Sequence, residues 1–555
     1  MIRTLARIMR SQGRSEVFLF IMYGKLYSAC LYGIDGVLIE VETDLSNGLP
    51  QTSIIGLPDS AIREAVERVR AAVKNCGYQY PLQRITINLA PADLRKEGSS
   101  FDLAIAVALL MTSGQLVLPS QERTLLLGEL ALDGSVRSVP GVLAMVDLAK
   151  RQGFTSVLLP VDNLAEASLI SGINVYGIGH LRDIAPDKPD SQTKDGVLSK
   201  AGTVVLNNFA HLIKPAAYEQ GLSSPNAKTQ ITASLSDDYS DVLGQHHVKR
   251  ALMIAAAGMH NILLVGPPGT GKTMLIKRLP TILPPLSEEE SLEVTKVLSA
   301  AGKLKETSNG LVTERPFRSP HHTISTSGLI GGSGIPKPGE VSLAHRGILF
   351  LDELPEFHRQ VLEVLRQPLE DHTVTISRAR AAFTFPAQFM LACSMNPCPC
   401  GYLSAQSEDQ RCICSPSRVA AYRAKISGPL LDRIDLQVEV PPPGEWRKAA
   451  PSPTSAEMQA KVVHAHHIQA KRYASSSVRW NSQLSGRLLR RTARLPSEAD
   501  HLLQHTLQAL NLSMRAHDRI IKMAQTIADL DHDGEILTAH VAEAIQYRQL
   551  DLNLF

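Results

Sequence analysis

Apolar and polar positions along this chain alternate between strand-like and helix-like periods, break once, and end helical. Val37 to Thr43 alternates with period two, as a half-buried strand does, and Arg84 to Leu89 repeats the pattern. Asp59 to Asn75 spaces its apolar residues like a helix and sets arginines on the polar face. Asp102 to Met111 is apolar all round after its first residue, which predicts a buried helix, and Val157 to Pro160 predicts a buried strand. Over residues 185–236 the periodicity fades into Pro, Asp, Ser, Lys and Asn, which predicts a linker with local order around Thr203 to Leu212. Apolar runs then return at Ile262 to Val265, at Ile348 to Leu351 and at Phe389 to Met395, each short enough for a buried strand. Beyond Pro441-Pro-Pro-Gly444 the period is helical, over about Ser455 to Arg472, Pro496 to Ala509, Ser513 to Leu530 and Leu537 to Leu550. The pattern predicts an α/β protein divided at 1–22, 23–184, 185–236, 237–444 and 445–555.

The strand at Ile262 to Val265 runs into Gly266-Pro267-Pro268-Gly269-Thr270-Gly271-Lys272-Thr273, and a helical stretch follows. That is G-x-x-x-x-G-K-T in strand–loop–helix context: backbone N–H groups turn inward on phosphates, Lys272 reaches the β- and γ-phosphates, and Thr273 holds Mg²⁺. Eighty residues on, the strand at Ile348 to Leu351 ends in Asp352 and Glu353. This predicts two carboxylates at a strand exit facing the phosphates, Asp352 on Mg²⁺ and Glu353 as general base on the attacking water. ATP and Mg²⁺ are the expected cofactors.

The charge balance, +3 overall with 20% charged residues, excludes nothing, because nucleic-acid binding rests on local patches. No run of about 18 apolar residues exists, so no membrane span is expected and the chain reads as cytoplasmic. Val17 to Tyr23 follows a basic stretch without a cleavage signal, so residues 1–22 read as an extension, with Met22 an alternative start. Of seven cysteines, Cys398, Cys400, Cys412 and Cys414 form C-x-C, eleven residues, C-x-C. Four soft ligands on a Pro/Gly-rich loop suit one structural Zn²⁺, against a reading as reduced thiols. Cys30, Cys76 and Cys393 lie in apolar surroundings and are expected to be buried thiols. HTVTISRARAAFTF, from His372 to Phe385, predicts a hairpin with Arg378 and Arg380 at its tip, suited to gripping DNA phosphates or merely solvated. Lys337, in the glycine-rich run Gly328 to Gly339, joins them as a candidate DNA contact, while His321 and His322 fit loop packing and contact equally. Lys471 to Ser497 carries seven Lys/Arg, no acid and an interleaved Trp480, which suits either a nucleic-acid surface or a solvated basic face.

Several stretches resemble known families. TINLAPADLRKEGSSFDL (86–103) and GELALDGSVRSVPGVL (128–143) are similar to the proteolytic (S5-like, α+β) domain of Lon-type proteases. That resemblance puts Ser100 at the nucleophile position but Leu143 where the family's lysine stands, which implies a shell for assembly or DNA contact rather than a peptidase; Lys150 lies about two helical turns further on. Tyr239 to Gln245, the phosphate loop, Asn396 and Gly428-Pro-Leu-Leu-Asp-Arg433 resemble AAA+ ATPases. By that likeness Val242 and Leu243 flank the adenine, Asn396 orients the lytic water, and Arg433 reaches the γ-phosphate of the adjacent subunit; the alternative for Arg433 is a pairing with Asp432 or Asp435. Arg515 matches the sensor-2 arginine of the lid, with Arg519 as the alternative. The two insertions resemble those of the clade containing magnesium chelatase and MCM helicases, where such loops enter a ring's pore.

Taken with FRSPHHTIS, NPCPCGY and ISGPLLDRIDL, these segments resemble the YifB/ComM family of magnesium chelatase-like ATPases along nearly the whole chain. The resemblance implies an AAA+ P-loop core (237–444) with a Lon-like N-terminal domain, a four-cysteine loop (398–414) and a C-terminal helical lid. It also implies a homo-hexameric, ATP-driven motor that encircles single-stranded and branched DNA and promotes branch migration during natural transformation. The competing expectations are a Lon-like protease and a chelatase-like remodeller of protein substrates.

Overall fold

A computed structural model describes residues 23–548, apart from 95, 97, 185–203, 207, 215–236, 305–309, 333–336, 379–380, 404–410, 443–451, 477, 511–512 and 532–533. The expected extension 1–22, most of the linker and Arg380 therefore lie outside the described residues. The chain divides into two compact units, 1–227 and 228–555. Among the described residues, no helix is long and apolar enough to cross a membrane.

In the first unit, strands β1 (Tyr23–Tyr32), β2 (Asp35–Ser46), β3 (Gln51–Ile55) and β4 (Arg84–Ala90) precede the helix α2 (Asp102–Thr112), with α1 (Ser60–Asn75) between β3 and β4. After α2 come β5 (Leu116–Val117), β6 (Thr124–Leu126), β7 (Glu129–Leu130), β8 (Val136–Arg137), helix α3 (Val142–Arg151), β9 (Ser156–Pro160) and β10 (Asn174–Ile178). Seven of these strands form one mixed sheet in the order β10-β9-β6-β1-β2-β4-β3. Asp59 caps α1, accepting the Ile62 N–H at 2.8 Å, which fixes where that helix starts. The all-apolar α2 is buried along its length, and its one charge, Asp102, is paired at 2.8 Å with Arg68 of α1. Arg68 thus turns inward from a face that reads as polar. Part of the expected linker belongs to this unit: β11 (Val204–Val205) pairs with β5, and Leu206, Phe209 and Leu212 enter the core. Those three apolar residues bury enough surface to hold a short segment whose flanks read as coil.

The second unit is built on a five-stranded, all-parallel sheet. Its strands are β12 (Ile262–Val265), β13 (Phe317–Arg318), β14 (Ile348–Leu351), β17 (Met390–Met395) and β18 (Leu436–Glu439), in the order β13-β14-β17-β12-β18. Successive side chains of a strand point to opposite faces, and both faces here are covered, so β12 and β14 are apolar throughout and β17 is apolar but for Ser394. Ile262 and Leu264 join a core with Ile520, Ala524 and Ile527 of the helical lid, while Leu263 and Val265 face Phe357, Leu365 and Tyr422. Helix α4 (His246–Gly258) precedes β12, and α5 (Lys272–Lys277) follows the glycine-rich loop. The hairpin insertion is present: α6 (Arg366–Asp371) leads into antiparallel β15 (Thr373–Arg378) and β16 (Ala381–Pro386), with Arg378 opposite Ala381 at the tip. The lid comprises α7 (Ser455–Arg472), α8 (Gly486–Thr492), α9 (Ser497–Ala509), α10 (Met514–Leu530) and α11 (Thr538–Gln546).

Candidate nucleotide and metal sites

Because β14, β17 and β12 are adjacent and parallel, their carboxyl ends open on one side of the sheet, where ligands of such sheets gather. The residues following those ends meet there. Gly266 leaves β12 so close to the next strand that a Cβ would lie 2.3 Å from the Val440 carbonyl, hence glycine. The Lys272 ammonium is buried and donates to the Gly266 and Pro267 carbonyls, each at 2.7 Å, and to Asn396 Oδ1 at 3.1 Å. Burial pulls its pKa below the usual lysine value, against the opposing pull of the Asp352 and Glu353 carboxylates. Thr273 Oγ1 donates to Asp352 Oδ2 at 2.9 Å, so one hydroxyl and one carboxylate stand where an Mg²⁺ shell needs them. Thr270 Oγ1 closes the loop on the Pro267 carbonyl at 2.9 Å, and Gly269 and Gly271 take positive φ.

Glu353 is exposed and adopts φ 54°, a left-handed conformation that costs a non-glycine residue of order 1 kcal/mol or more. Its N–H donates to Asp352 Oδ1 at 3.1 Å, and both carboxylates lie near enough to act on the Lys272 charge. Asp352 is further held by the Ser394 hydroxyl. Sequence reasoning missed Ser394; the only signal was one small polar residue inside an apolar strand. Val242 is buried and Leu243 is half exposed, on a segment pinned by Tyr239, whose hydroxyl donates to the Leu275 carbonyl at 2.7 Å.

Arg433 lies elsewhere. Its turn is tied to the amino end of β12, where Asn261 Nδ2 donates to the Arg433 carbonyl at 2.8 Å and the Asn261 N–H donates to Asp435 at 3.1 Å. The phosphate loop leaves the carboxyl end of that strand, roughly 13 Å away at a strand's rise. The guanidinium pairs with neither Asp432 nor Asp435, the two acids its sequence neighbourhood offers. Instead it binds Glu370 of α6 and the Pro429 carbonyl, and its Nε is buried without a hydrogen-bond partner among the described residues. Arg433 and Glu370 line a cavity of about 320 Å³ that also presents Arg315, Arg346, Arg519 and Lys522. Arg519 pairs there with Asp435 at 3.4 Å; against the cost of burial, that carboxyl is held well below its usual range by His260, 3.5 Å away, and by the Arg519 charge. Arg515 sits one turn earlier in α10, exposed to solvent, so the two sensor-2 candidates separate: Arg519 shares the Arg433 cavity and Arg515 does not.

The four late cysteines converge, all four sulfurs lying within 4.8 Å of one another. Their resolved Sγ separations are 3.3 Å (Cys398–Cys400), 3.6 Å (Cys400–Cys412) and 3.7 Å (Cys398–Cys412). A tetrahedral Zn²⁺ with bonds of ~2.3 Å has sulfur–sulfur edges of about 3.8 Å, so these residues fit one zinc ion with every position filled by protein. The Tyr402 backbone N–H draws the Cys400 thiol down to about 6, whereas desolvation and the neighbouring sulfurs push the Cys412 and Cys414 thiols up. This loop also touches the nucleotide loop: a Cβ on Gly401 would lie 2.6 Å from Pro268 Cδ. Of the other cysteines, Cys30 and Cys393 are buried, but Cys76 is only half-buried, with its sulfur 3.9 Å from His180 Nδ1.

The remaining candidates are scattered. Lys337 is exposed beside the bridge that joins Gly331 to Pro338. His321 and His322 stack on each other at 4.1 Å. Trp480 is buried against His466, so it is no part of an exposed basic surface. Ser100 is buried and gives its hydroxyl to the Ala29 carbonyl at 3.2 Å; the position matching the protease lysine, Leu143, is core, and Lys150 is exposed. Buried Lys96, four residues before Ser100, hydrogen-bonds the Pro91 carbonyl.

Comparison with known proteins agrees with this architecture. Residues 238–447 match the family described as magnesium chelatase, subunit ChlI; residues 41–163 match subunit ChlI of Mg-chelatase, and 452–548 its C-terminal family. The chain is 42% identical to protein YifB of Salmonella typhimurium over 95% of its length and 97% of that protein's. It is 40% identical to competence protein ComM of Haemophilus influenzae, over 95% and 97%. A shorter likeness, 29% over 25% of this chain and 26% of the other, is to Lon protease 2 of Bacillus subtilis.

Proposed function

Because the chain belongs to the YifB/ComM family of magnesium chelatase-like ATPases, we propose that it is a ring-forming ATPase that drives DNA strands through branch migration. The observation that carries this reading is the division of one catalytic machine between the two ends of a sheet. Lys272, Thr273, Asp352, Glu353 and Asn396 stand at the carboxyl end of β12 and Arg433 at its amino end. An arginine there serves a nucleotide held by a second copy, so hydrolysis needs assembly, as a homo-hexamer, and each subunit senses its neighbour.

In this mechanism Lys272 leaves its main-chain carbonyls to neutralise charge building on the γ-phosphate. Exposed Glu353 takes a proton from the attacking water, which Asn396 orients. Thr273 and Asp352 would hold a magnesium ion, which supplies charge neutralisation at the β- and γ-phosphates. The hairpin β15–β16 lies directly after the helix that carries Glu370, the partner of Arg433, so DNA pressing on Arg378 and Arg380 acts on the strand next to that helix and, through it, on the trans-acting arginine. A role in natural transformation extends the name of the Haemophilus relative to this chain. The protease reading is disfavoured, since Ser100 has a main-chain carbonyl rather than an amine at its hydroxyl.

The test is movement of a labelled three-strand or four-way junction by wild type, Lys272→Ala and Arg378→Ala/Arg380→Ala. We expect ATP-dependent movement by wild type alone. Intact ATP turnover by wild type without junction movement overturns the motor reading.

A further inference from the structure

The lid carries a row of arginines that neither the ATP site nor the hairpin uses. Between Glu457 and Glu498 the chain has no acidic residue, and Lys471 to Ser497 has seven basic ones. The structure sorts them. Arg472 is paired with Asp529, and Arg479 bridges Glu289 and Glu290. Arg487, Arg490, Arg491 and Arg494 are all exposed and make no ion pair with a described carboxylate, while Leu489 and Ala493 between them enter the core.

Helix α8 aligns them. At about 100° per residue, Arg487, Arg490 and Arg491 fall within an arc of about 100°, and Leu489 points away from it. Arg494, just past the helix end, is also exposed, and the row spans roughly 10 Å. Two like-charged pairs, Arg487–Arg490 and Arg487–Arg491, at spacings of three and four residues, oppose a helix of only seven residues, at about 0.2–0.5 kcal/mol each. No described carboxylate offsets that repulsion, whereas a polyanion would.

We propose that this row is a docking surface for the phosphate backbone of a DNA duplex, distinct from the pore hairpin. It rests on the DNA-motor reading and adds a second contact to it. Guanidinium forks match phosphate oxygens bidentately, and phosphates of one strand rise about 3.4 Å apart, so a row of this length spans about three. Both aromatic residues of the basic run, Tyr473 and Trp480, are buried, so the surface has no platform on which unpaired bases stack. That favours a duplex arm over a single strand, read without sequence preference.

The test uses the full-length chain and fluorescence anisotropy on a labelled duplex and on an oligo-dT strand, from about 50 to about 200 mM salt. The variants are Arg487→Gln/Arg490→Gln/Arg491→Gln/Arg494→Gln and the matching set of lysines, with thermal unfolding as the folding control. We expect the glutamine set to weaken duplex binding at low salt and to lower the salt slope by about 2.7, at 0.9 for each of about three phosphates. The lysine set should keep most of that slope, and oligo-dT binding should change little. An unchanged duplex affinity and slope overturns the proposal, and so does an equal loss on oligo-dT. Wild type that binds neither DNA overturns the motor reading itself.

Discussion

Removing the metal clip should weaken ATP binding from a distance, through Gly401. The perturbation is Cys412→Ser/Cys414→Ser, which takes two of four ligands from the cluster and leaves Asn396 untouched. Among the described residues the second cysteine pair has few apolar anchors: Ile413 between them is 86% exposed, and Leu403 is 42% exposed. Structural zinc contributes about 10–16 kcal/mol of apparent binding energy, against about 3 kcal/mol to close a loop of this size, so its loss frees the loop. The effect on the nucleotide is bounded by the contact with Pro268, where a Gly401 Cβ would meet Cδ at 2.6 Å and Cγ at 3.1 Å. Two methylenes at about 0.8 kcal/mol each give at most about 1.6 kcal/mol, or up to about fifteenfold in affinity. The assay pairs metal content per chain with titration of a fluorescent ATP analogue. We expect one zinc in wild type, none in the variant, and a nucleotide Kd weakened by about twofold to fifteenfold. Wild type purified without zinc, or a zinc-free variant with unchanged Kd, refutes the reasoning.

Arg433→Ala should bind nucleotide as wild type does yet hydrolyse it about 10³-fold more slowly, the scale of a trans-acting arginine. Mixing it with Lys272→Ala should restore part of the turnover, measured by phosphate release, because each copy lacks a different half-site. Glu293, hydrogen-bonded by His345 and then Arg346, is held down at about 2, well under the ordinary glutamate value. A depressed folded pKa contributes stability above the unfolded pKa of about 4.3 that is lost as pH falls toward 2. With the Glu293 side chain 42% exposed, solvent screening limits this to about 1–2 kcal/mol. Urea unfolding should therefore show Glu293→Gln destabilised by that amount at pH 7, with the gap narrowing as the pH is lowered through that window.

Much of the fold was legible because its signals are local. Ile262 to Val265, Ile348 to Leu351 and Ser455 to Arg472 form the elements their periodicity predicts, since apolar spacing and caps act within a few residues. Other features were not: the local order expected around Thr203 to Leu212 carried no sign that Leu206, Phe209 and Leu212 complete the first unit's core, and Arg68 turns from its helix's polar face to neutralise Asp102. Cys76 and Trp480 exchange the exposures their neighbours suggest, because packing partners more than a hundred residues and more than ten residues away, His180 and His466, decide them.

By itself the sequence determined the chemistry that lies on consecutive residues: the phosphate loop, the Asp352-Glu353 pair, the C-x-C pairs and the row of lid arginines. Only the tertiary structure decided which of them share a site. The order β13-β14-β17-β12-β18 brings Asn396 and Ser394 to Lys272 and Asp352 and sends Arg433 to the opposite end, against Glu370. The reason is geometric. Spacing along a chain fixes what one strand or helix presents, but the company its ends keep depends on which strands lie beside it, and that order is written in packing between distant segments.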